Sequence, residues 1–238
     1  MKRRRSLVGV LVLSTGLLTV GMVPAAQAAP ECFNRQATFV GTNADDFFPG
    51  TPGNDVAVLK RGDDSADGQG GFDRLCGNAD DDDLRGGEGE DRLAGGDGED
   101  FLDAGDIIAV FFEEASPDSS DNRLRGGAEG DVLFGAAGDD ELSGGGGVDQ
   151  IFDGGDFGGG NNKLNGNSGD DFINSANGSV DVVDGGRGED RCITDPQDSV
   201  ENCEFEDNNG GERLSDQSRD DIRDRFDDAL ERLGDLGG

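Results

Sequence analysis

The chain has 238 residues, of which 53 are acidic, 20 are basic and 43 are glycine, and its formal net charge is -33. Such an acidic surface repels nucleic acid and anionic membranes and attracts cations. The chain has no histidine, which excludes Ser-His-Asp triads and histidine-based zinc protease motifs. A Gly-rich, highly charged composition is typical of disordered chains, but the strict nine-residue register described below argues against disorder.

The first 28 residues have the pattern of a secretory signal peptide. A basic start, Lys2 to Arg5, precedes an apolar run over residues 7–23 and the small-x-small motif Ala26-Gln27-Ala28. A membrane anchor is the alternative, disfavoured by the glycines and the Pro24 in this segment. No other apolar run approaches spanning length. We therefore expect cleavage after Ala28, a secreted extracellular protein without a membrane span, and two disulfides among its four cysteines.

Residues 68–103 consist of four consecutive nine-residue units: GQGGFDRLC, GNADDDDLR, GGEGEDRLA and GGDGEDFLD. In each unit place one is Gly, place six is Asp and place eight is Leu. This is the pattern G-G-x-G-x-D-x-U-x, in which U is an apolar residue. The last three places suit a very short strand whose middle side chain faces a core. The glycine-rich places before them suit a tight turn.

Two such units make one flattened coil, and successive coils stack at about 4.8 Å, the spacing of hydrogen-bonded strands. The stacking places Asp73 over Asp91 and Asp82 over Asp100. Two carboxylates at that separation repel by about 0.9 kcal/mol in water and by more at a half-dry site. A hard divalent cation between the coils reverses the sign of this interaction, and oxygen ligands are those that Ca²⁺ prefers.

Counting back in nines from Leu75 gives apolar residues at Ala66, Ala57, Phe48 and Phe39. The ladder therefore begins near Ala37, and the two alanines predict a thin start to the core. A bridge from Cys32 to Cys76 would attach the N-terminal segment to the side of the ladder, although a different pairing stays open.

After Leu102 the register continues in phase to Phe111, and an inserted loop near 112–121 then delays the next core residue to Leu124. A second inserted loop, near 153–161, delays the step from Ile151 to Leu164. At both restarts place six is asparagine, Asn122 and Asn162. An amide offers one neutral oxygen instead of a carboxylate, so we expect weaker calcium binding at these two turns.

The C-terminal part departs from the repeat. A bridge from Cys192 to Cys203 would fold the intervening residues back as a cap over the last coil of the domain 29–203. Residues 204–214 have the composition of an acidic linker. The segment 215–238 has apolar residues on one helical face and ends in glycines, which predicts a short amphipathic helix and tail.

Residues 68–103, 126–152 and the unit GGRGEDRCI resemble the hemolysin-type, or RTX, calcium-binding repeats of secreted bacterial proteins. The resemblance implies an all-β fold, a right-handed parallel β-roll, with several Ca²⁺ ions held between turns by backbone oxygens and the place-six carboxylate. Two units depart from the pattern, because Asp80 and Glu129 replace the glycine at place four. Carried over to this sequence, the carboxylate ligands are Asp46, Asp55, Asp64, Asp73, Asp82, Asp91, Asp100, Asp131, Asp140, Asp149, Asp171 and Asp190.

The function that we expect is that of an extracellular structural or surface-interaction module, acting as a monomer on an unidentified protein or glycan partner. No pair of carboxylates stands out as an acid/base couple, and no segment is long enough for a separate catalytic domain, so we predict no enzymatic activity. The alternatives are a calcium-stabilised part of an extracellular hydrolase and a calcium-gated secretion module.

Overall fold

The computed structural model describes residues 30–105, 119–154 and 160–207. These residues contain β-strands and no helix, and none of their elements is a helix long and apolar enough to cross a membrane. The predicted signal peptide and the predicted C-terminal helix lie outside the described residues.

The described residues form two parallel nine-stranded sheets, preceded by a small hairpin of β1 (Glu31–Cys32) and β2 (Arg35–Gln36). The chain alternates between the two sheets, so each coil contributes one strand to each. Sheet I contains β3 (Phe39–Val40), β5 (Val56–Val58), β7 (Arg74–Ala79), β9 (Arg92–Asp97), β11 (Arg123–Ala128), β13 (Glu141–Gly146), β15 (Lys163–Ser168), β17 (Val182–Arg187) and β19 (Ser199–Glu201). Sheet II contains β4 (Phe47–Thr51), β6 (Ser65–Gln69), β8 (Asp83–Arg85), β10 (Phe101–Asp103), β12 (Val132–Phe134), β14 (Gln150–Phe152), β16 (Phe172–Asn174), β18 (Arg191–Ile193) and β20 (Phe205–Asp207).

The parallel solenoid confirms the all-β coil of nine-residue units; its right-handed winding stays a prediction. The place-eight side chains of both sheets pack into one core column between the sheets. Its thin start at Ala57 and Ala66 is filled by one residue that the register did not predict to be buried, and by contact between two predicted place-eight rings. Leu59, at a place-one position, is fully buried, and the rings of Phe39 and Phe48 lie 4.7 Å apart.

The prediction that the ladder continues to Phe111 is wrong. Leu93 pairs with Leu124 in sheet I, and Leu102 pairs with Leu133 in sheet II. The strand that follows β10 in the ladder is therefore β11, and Phe111 itself lies outside the described residues. Phe111 has an apolar side chain in phase, but a continuous ladder also needs the turn residues, and its unit has no Asp at place six.

The last coil also differs from the prediction. Residues 194–203 do not fold back over the end of the roll, because β19 pairs in parallel with β17 and β20 pairs in parallel with β18. The segment forms one further coil, with Val200 packed against the core. The roll thus extends to Asp207, into the stretch predicted as a linker.

The two disulfides in the structure are Cys32–Cys76 and Cys192–Cys203, the pairing expected from the sequence. The first attaches the N-terminal hairpin to the outer face of sheet I, where Cys32, Val56 and Val58 are buried together. The second joins the inward-facing Cys192 of β18 to Cys203, which lies in the turn between β19 and β20. Each bridge therefore fixes one end of the solenoid.

Candidate metal centre

The turns between strands bring the place-six residues into two columns, one along each edge of the solenoid. Column I comprises the place-six residues of the turns that enter sheet I: Asp55, Asp73, Asp91, Asn122, Asp140, Asn162, Asp181 and Asp198. Column II comprises those of the turns that enter sheet II: Asp46, Asp64, Asp82, Asp100, Asp131, Asp149, Asp171, Asp190 and Glu204. All twelve aspartates predicted from the sequence lie in these columns, and all but Asp46 and Asp55 are buried.

One carboxylate oxygen of each residue has a defined structural role. The backbone N–H of a place-six residue donates to the Oδ1 atom of the place-six residue one coil further along. The N···O distance is 2.8 Å from Asp73 to Asp91 in column I and 2.9 Å from Asp82 to Asp100 in column II. The bond continues across the insertions, with 2.7 Å from the Asp91 nitrogen to Asn122 Oδ1. The insertions therefore leave the coil-to-coil register unchanged.

In many of these aspartates the second carboxylate oxygen is buried, and no hydrogen-bond donor reaches it. Oxygens of this kind occur in both columns, on Asp64, Asp73, Asp82, Asp100, Asp131, Asp149, Asp171, Asp181 and Asp190. Burying an ionised oxygen without a partner costs several kcal/mol. A protein that repeats this arrangement so many times needs a positive charge, or protons, between its coils.

The surroundings of these oxygens fit a cation that prefers oxygen ligands. The Oδ2 atom of Asp82 lies against Gly77 at place one, and a side-chain carbon on that glycine would overlap it. A side-chain carbon on Gly89 would overlap the carbonyl oxygen of Gly71 on the neighbouring coil. The turns thus combine one carboxylate oxygen with closely approaching backbone carbonyls, a donor set that suits Ca²⁺.

Side chains alone do not complete such a site. Among the described residues, no group of three or more acidic or cysteine side chains surrounds a common point. Each turn contributes at most one place-six carboxylate, so backbone carbonyls would have to supply most of the remaining ligands. This is consistent with a repeat whose turn places are mainly glycine.

Burial makes these carboxylates reluctant to ionise when no cation is bound. Desolvation raises the pKa of Asp82 to about 9 and that of Asp131 to about 8 in column II. In column I it raises the pKa of Asp73 to about 6. The charges of neighbouring place-six aspartates add to the shift, whereas the backbone N–H bond opposes it. The electrostatic demand for a cation is therefore greater at Asp82 and Asp131 than at Asp73.

The two departures at place four have a structural explanation. Asp80 and Glu129 adopt positive φ angles of 72° and 69°, the conformation that favours glycine at this place. Each carboxylate accepts a hydrogen bond from the place-four N–H of the preceding coil, at 3.1 Å from Gly62 to Asp80 and 3.1 Å from Gly98 to Glu129. The side chains thus compensate for the strained backbone.

Sequence analysis missed one buried member of column I, Asp181. It is fully buried and precedes the core residue Val183 by two positions, as place six requires. Counting forward from Ile173 fails, because that step is ten residues long. Counting backward in nines from Cys192 gives Val183 and would have found Asp181. Asp198 and Glu204 complete the columns, and they were missed because the last coil is shorter than eighteen residues.

The asparagine turns have a different chemistry from the aspartate turns. Asn122 keeps the Oδ1 bond, but its amide nitrogen donates to the carbonyl oxygen of Ser120 at 3.0 Å. The amide NH₂ group therefore occupies the position of an aspartate's second oxygen, and its hydrogen bond occupies a carbonyl oxygen of the same turn. The amide nitrogen of Asn162 is buried with no acceptor. Both asparagines remove negative charge from column I.

A parallel solenoid is typical of a metal-binding repeat protein when place-six aspartates recur every nine residues and stack in two buried columns. Comparison with known families identifies the repeat: the model of the RTX calcium-binding nonapeptide repeat matches residues 40–75, 49–84, 77–106, 118–151 and 158–180. These matches cover more than half of the chain, and the chain belongs to the RTX calcium-binding repeat family. Repeats of this family bind calcium. No curated protein matches the chain in sequence.

Proposed function

We propose that this protein is a secreted calcium-binding repeat protein that folds when Ca²⁺ binds between its coils. The buried carboxylate oxygens that have no hydrogen-bond donor support this proposal most directly. Ca²⁺ would add the missing positive charge and use the turn carbonyls as further ligands. The carboxylate ligands that we propose are the twelve place-six aspartates predicted from the sequence, together with Asp181.

Folding and calcium binding would be one event. Each nine-residue unit buries about one apolar side chain, a gain of roughly 1.5 to 3 kcal/mol. Ordering the backbone costs about 1 to 2 kcal/mol for every residue of the unit. A cation bound only by the folded chain shifts the balance by mass action, by about 2.7 kcal/mol per site when calcium exceeds its dissociation constant a hundredfold. Many sites acting together would drive the transition.

The signal-peptide pattern and the disulfides indicate that the chain would bind calcium outside the cell. The N-terminal segment has the pattern of a secretory signal peptide, and both disulfides suit an oxidising compartment. Calcium modules outside cells typically bind with dissociation constants of about 10⁻⁴ to 10⁻³ M. The chain would thus stay unfolded during export and fold outside. There it would act as a structural or surface-interaction module, without a catalytic role.

Circular dichroism of the mature chain, from Ala29 onward, tests the proposal. In chelator we expect a spectrum of a largely disordered chain, and added calcium should produce a cooperative gain of β-structure. Magnesium at the same concentration is the control, because its smaller ion demands octahedral geometry and keeps its water. A chain that is already β-rich in chelator and unchanged by calcium would contradict the proposal.

A further inference from the structure

The turns that lead from sheet II to sheet I change character toward the C-terminal end. Their place-one residues are small in the first coils, as at Gly68, Gly86 and Ala104. In the last coils they are polar and buried: Asp153, Ser175 and Thr194 are each at most 2% exposed. A polar side chain at place one lies beside column I, so it can act on a place-six carboxylate.

Ser175 shows what such a side chain does. Its hydroxyl donates to the Oδ2 atom of Asp198, the place-six residue one coil further along, at 3.0 Å. The backbone N–H of Asp195 donates to the same oxygen at 2.8 Å, and the N–H of Asp181 donates to Oδ1 at 3.0 Å. Both oxygens of Asp198 therefore have donors from the protein. Asp198 is the last member of column I, and its hydrogen bonds stabilise the carboxylate without a cation.

Asp153 occupies the same position one coil earlier, but it carries a carboxyl group where Ser175 carries a hydroxyl. It lies within hydrogen-bonding reach of Asp181, one coil further along. Asn177 donates to Asp153 Oδ2 at 2.7 Å and holds the side chain in place. The Oδ2 atom of Asp181 is buried and receives no hydrogen bond. Two carboxyl groups thus approach each other inside the protein.

The regular partners of Asp181 cannot neutralise it. Asn162, one coil before, has no carboxylate, and Asp198, one coil after, is already satisfied by protein donors. Only a shared proton or a cation allows Asp153 and Asp181 to face each other. The place-one carboxylate of Asp153 supplies the negative charge that Asn162 lacks at place six of this turn.

We propose that Asp153 and Asp181 together bind one additional divalent cation, at a site formed by a place-one and a place-six carboxylate from adjacent coils. The inference rests on the proposed calcium function, and Ca²⁺ is the cation it names. Two carboxylates and nearby turn carbonyls provide the hard oxygen ligands that Ca²⁺ requires. The site lies beyond the regular nonapeptide pattern, which has glycine at place one.

Native mass spectrometry of the full mature chain in calcium tests this inference, because it resolves integer numbers of bound ions. The variants are Asp153→Asn and Asp153→Ser, the second of which copies the hydroxyl of Ser175. Asp170→Asn is the matched control: it makes the same charge change at an exposed place-five residue. Circular dichroism in calcium establishes that each variant folds.

We expect both Asp153 variants to bind one calcium ion fewer than the wild type, and Asp170→Asn to bind the wild-type number. An unchanged number in both Asp153 variants would overturn the inference and would mean that the pair shares a proton. A wild-type chain that folds without binding any calcium would instead contradict the proposed function, and this inference with it. The two failures are therefore distinguishable.

Discussion

The two edges of the solenoid carry the same nine-residue pattern but differ in continuity. Column II has an aspartate at every place six from Asp46 to Asp190. Column I is interrupted twice by asparagine, at Asn122 and Asn162, and both insertions lie in turns that lead to these residues. An insertion into one edge therefore costs a carboxylate there, whereas strand pairing in both sheets continues in register. The coil tolerates longer turns as long as the other edge stays regular.

The surroundings of the two columns differ as well. Beside column I, Arg74, Arg92 and Arg123 occupy directly paired positions on successive strands of sheet I. Their positive charges offset part of the negative charge of that edge. The outer face of sheet II instead carries a row of phenylalanines in contact, with the rings of Phe134 and Phe152 stacked 4.8 Å apart. Column II thus has less cationic help from the protein, so it depends more strongly on bound calcium.

The largest effect that we expect separates Asp100→Asn from Asp140→Asn. Both aspartates are at most 2% exposed, and asparagine preserves the Oδ1 bond in each. Asp100 has Asp82 and Asp131 as column neighbours, so its loss weakens two cation layers, about 5 kcal/mol at calcium a hundredfold above the dissociation constant. Asp140 lies between Asn122 and Asn162 in column I. The substitution Asp140→Asn should therefore reduce the free energy of unfolding by at most half as much as Asp100→Asn. Calcium-dependent urea unfolding measures the difference, and equal losses would contradict the contrast between the columns.

The pH dependence should reverse sign with calcium. Without calcium, a carboxyl whose pKa is raised in the folded state binds more protons folded than unfolded. The fold therefore gains stability as pH falls toward the ordinary value of 3.8, and loses it as pH rises through about 9 for Asp82 and about 8 for Asp131. In calcium the ionised form is needed, so acid raises the calcium required for folding, by about tenfold per pH unit for each proton displaced.

Circular dichroism from pH 5 to 9, in chelator and in calcium, tests this reversal. Asp82→Asn should flatten both profiles across the whole range up to about pH 9. Asp73→Asn should flatten them only below about pH 6, because the pKa of Asp73 is raised only to about 6. Profiles that move in the same direction with and without calcium would disprove the assignment of these carboxylates as ligands.

A smaller effect, the gain of one calcium ion, is expected for Asn122→Asp. The substitution removes the amide donor to Ser120 and restores two oxygens between Asp91 and Asp140. Asn161→Asp is the control, because it adds the same charge at an exposed place-five residue. Native mass spectrometry should count one more ion in Asn122→Asp alone. The same count in both variants would mean that the extra ion follows net charge and not column geometry.

The features of the fold that the sequence predicts are those that recur at the nine-residue interval of the repeat. The alternation of strands, the core column and the two lines of Asp were readable, because each depends on a fixed interval. The ends of the insertions were not readable, since Phe111 matches the interval although its unit has no Asp at place six. Asp181 was missed after a ten-residue step. The contact between Asp153 and Asp181 depends on neighbours in adjacent coils and has no signal in a single unit.

The smallest effect concerns the acids at place four of column II. Glu129→Gly removes an exposed hydrogen bond to the Gly98 N–H, a loss of about 0.5 to 1.5 kcal/mol. It also relieves the positive φ angle of Glu129, a gain of about 1 kcal/mol. We expect these changes to cancel to within about 0.5 kcal/mol. Glu129→Ala keeps the strained backbone and loses the bond, so it should destabilise by about 1 kcal/mol. Urea midpoints in saturating calcium distinguish the two variants. If glycine destabilises as much as alanine, the carboxylate itself contributes to column II, and the place-four acids belong with its ligands rather than with its turns.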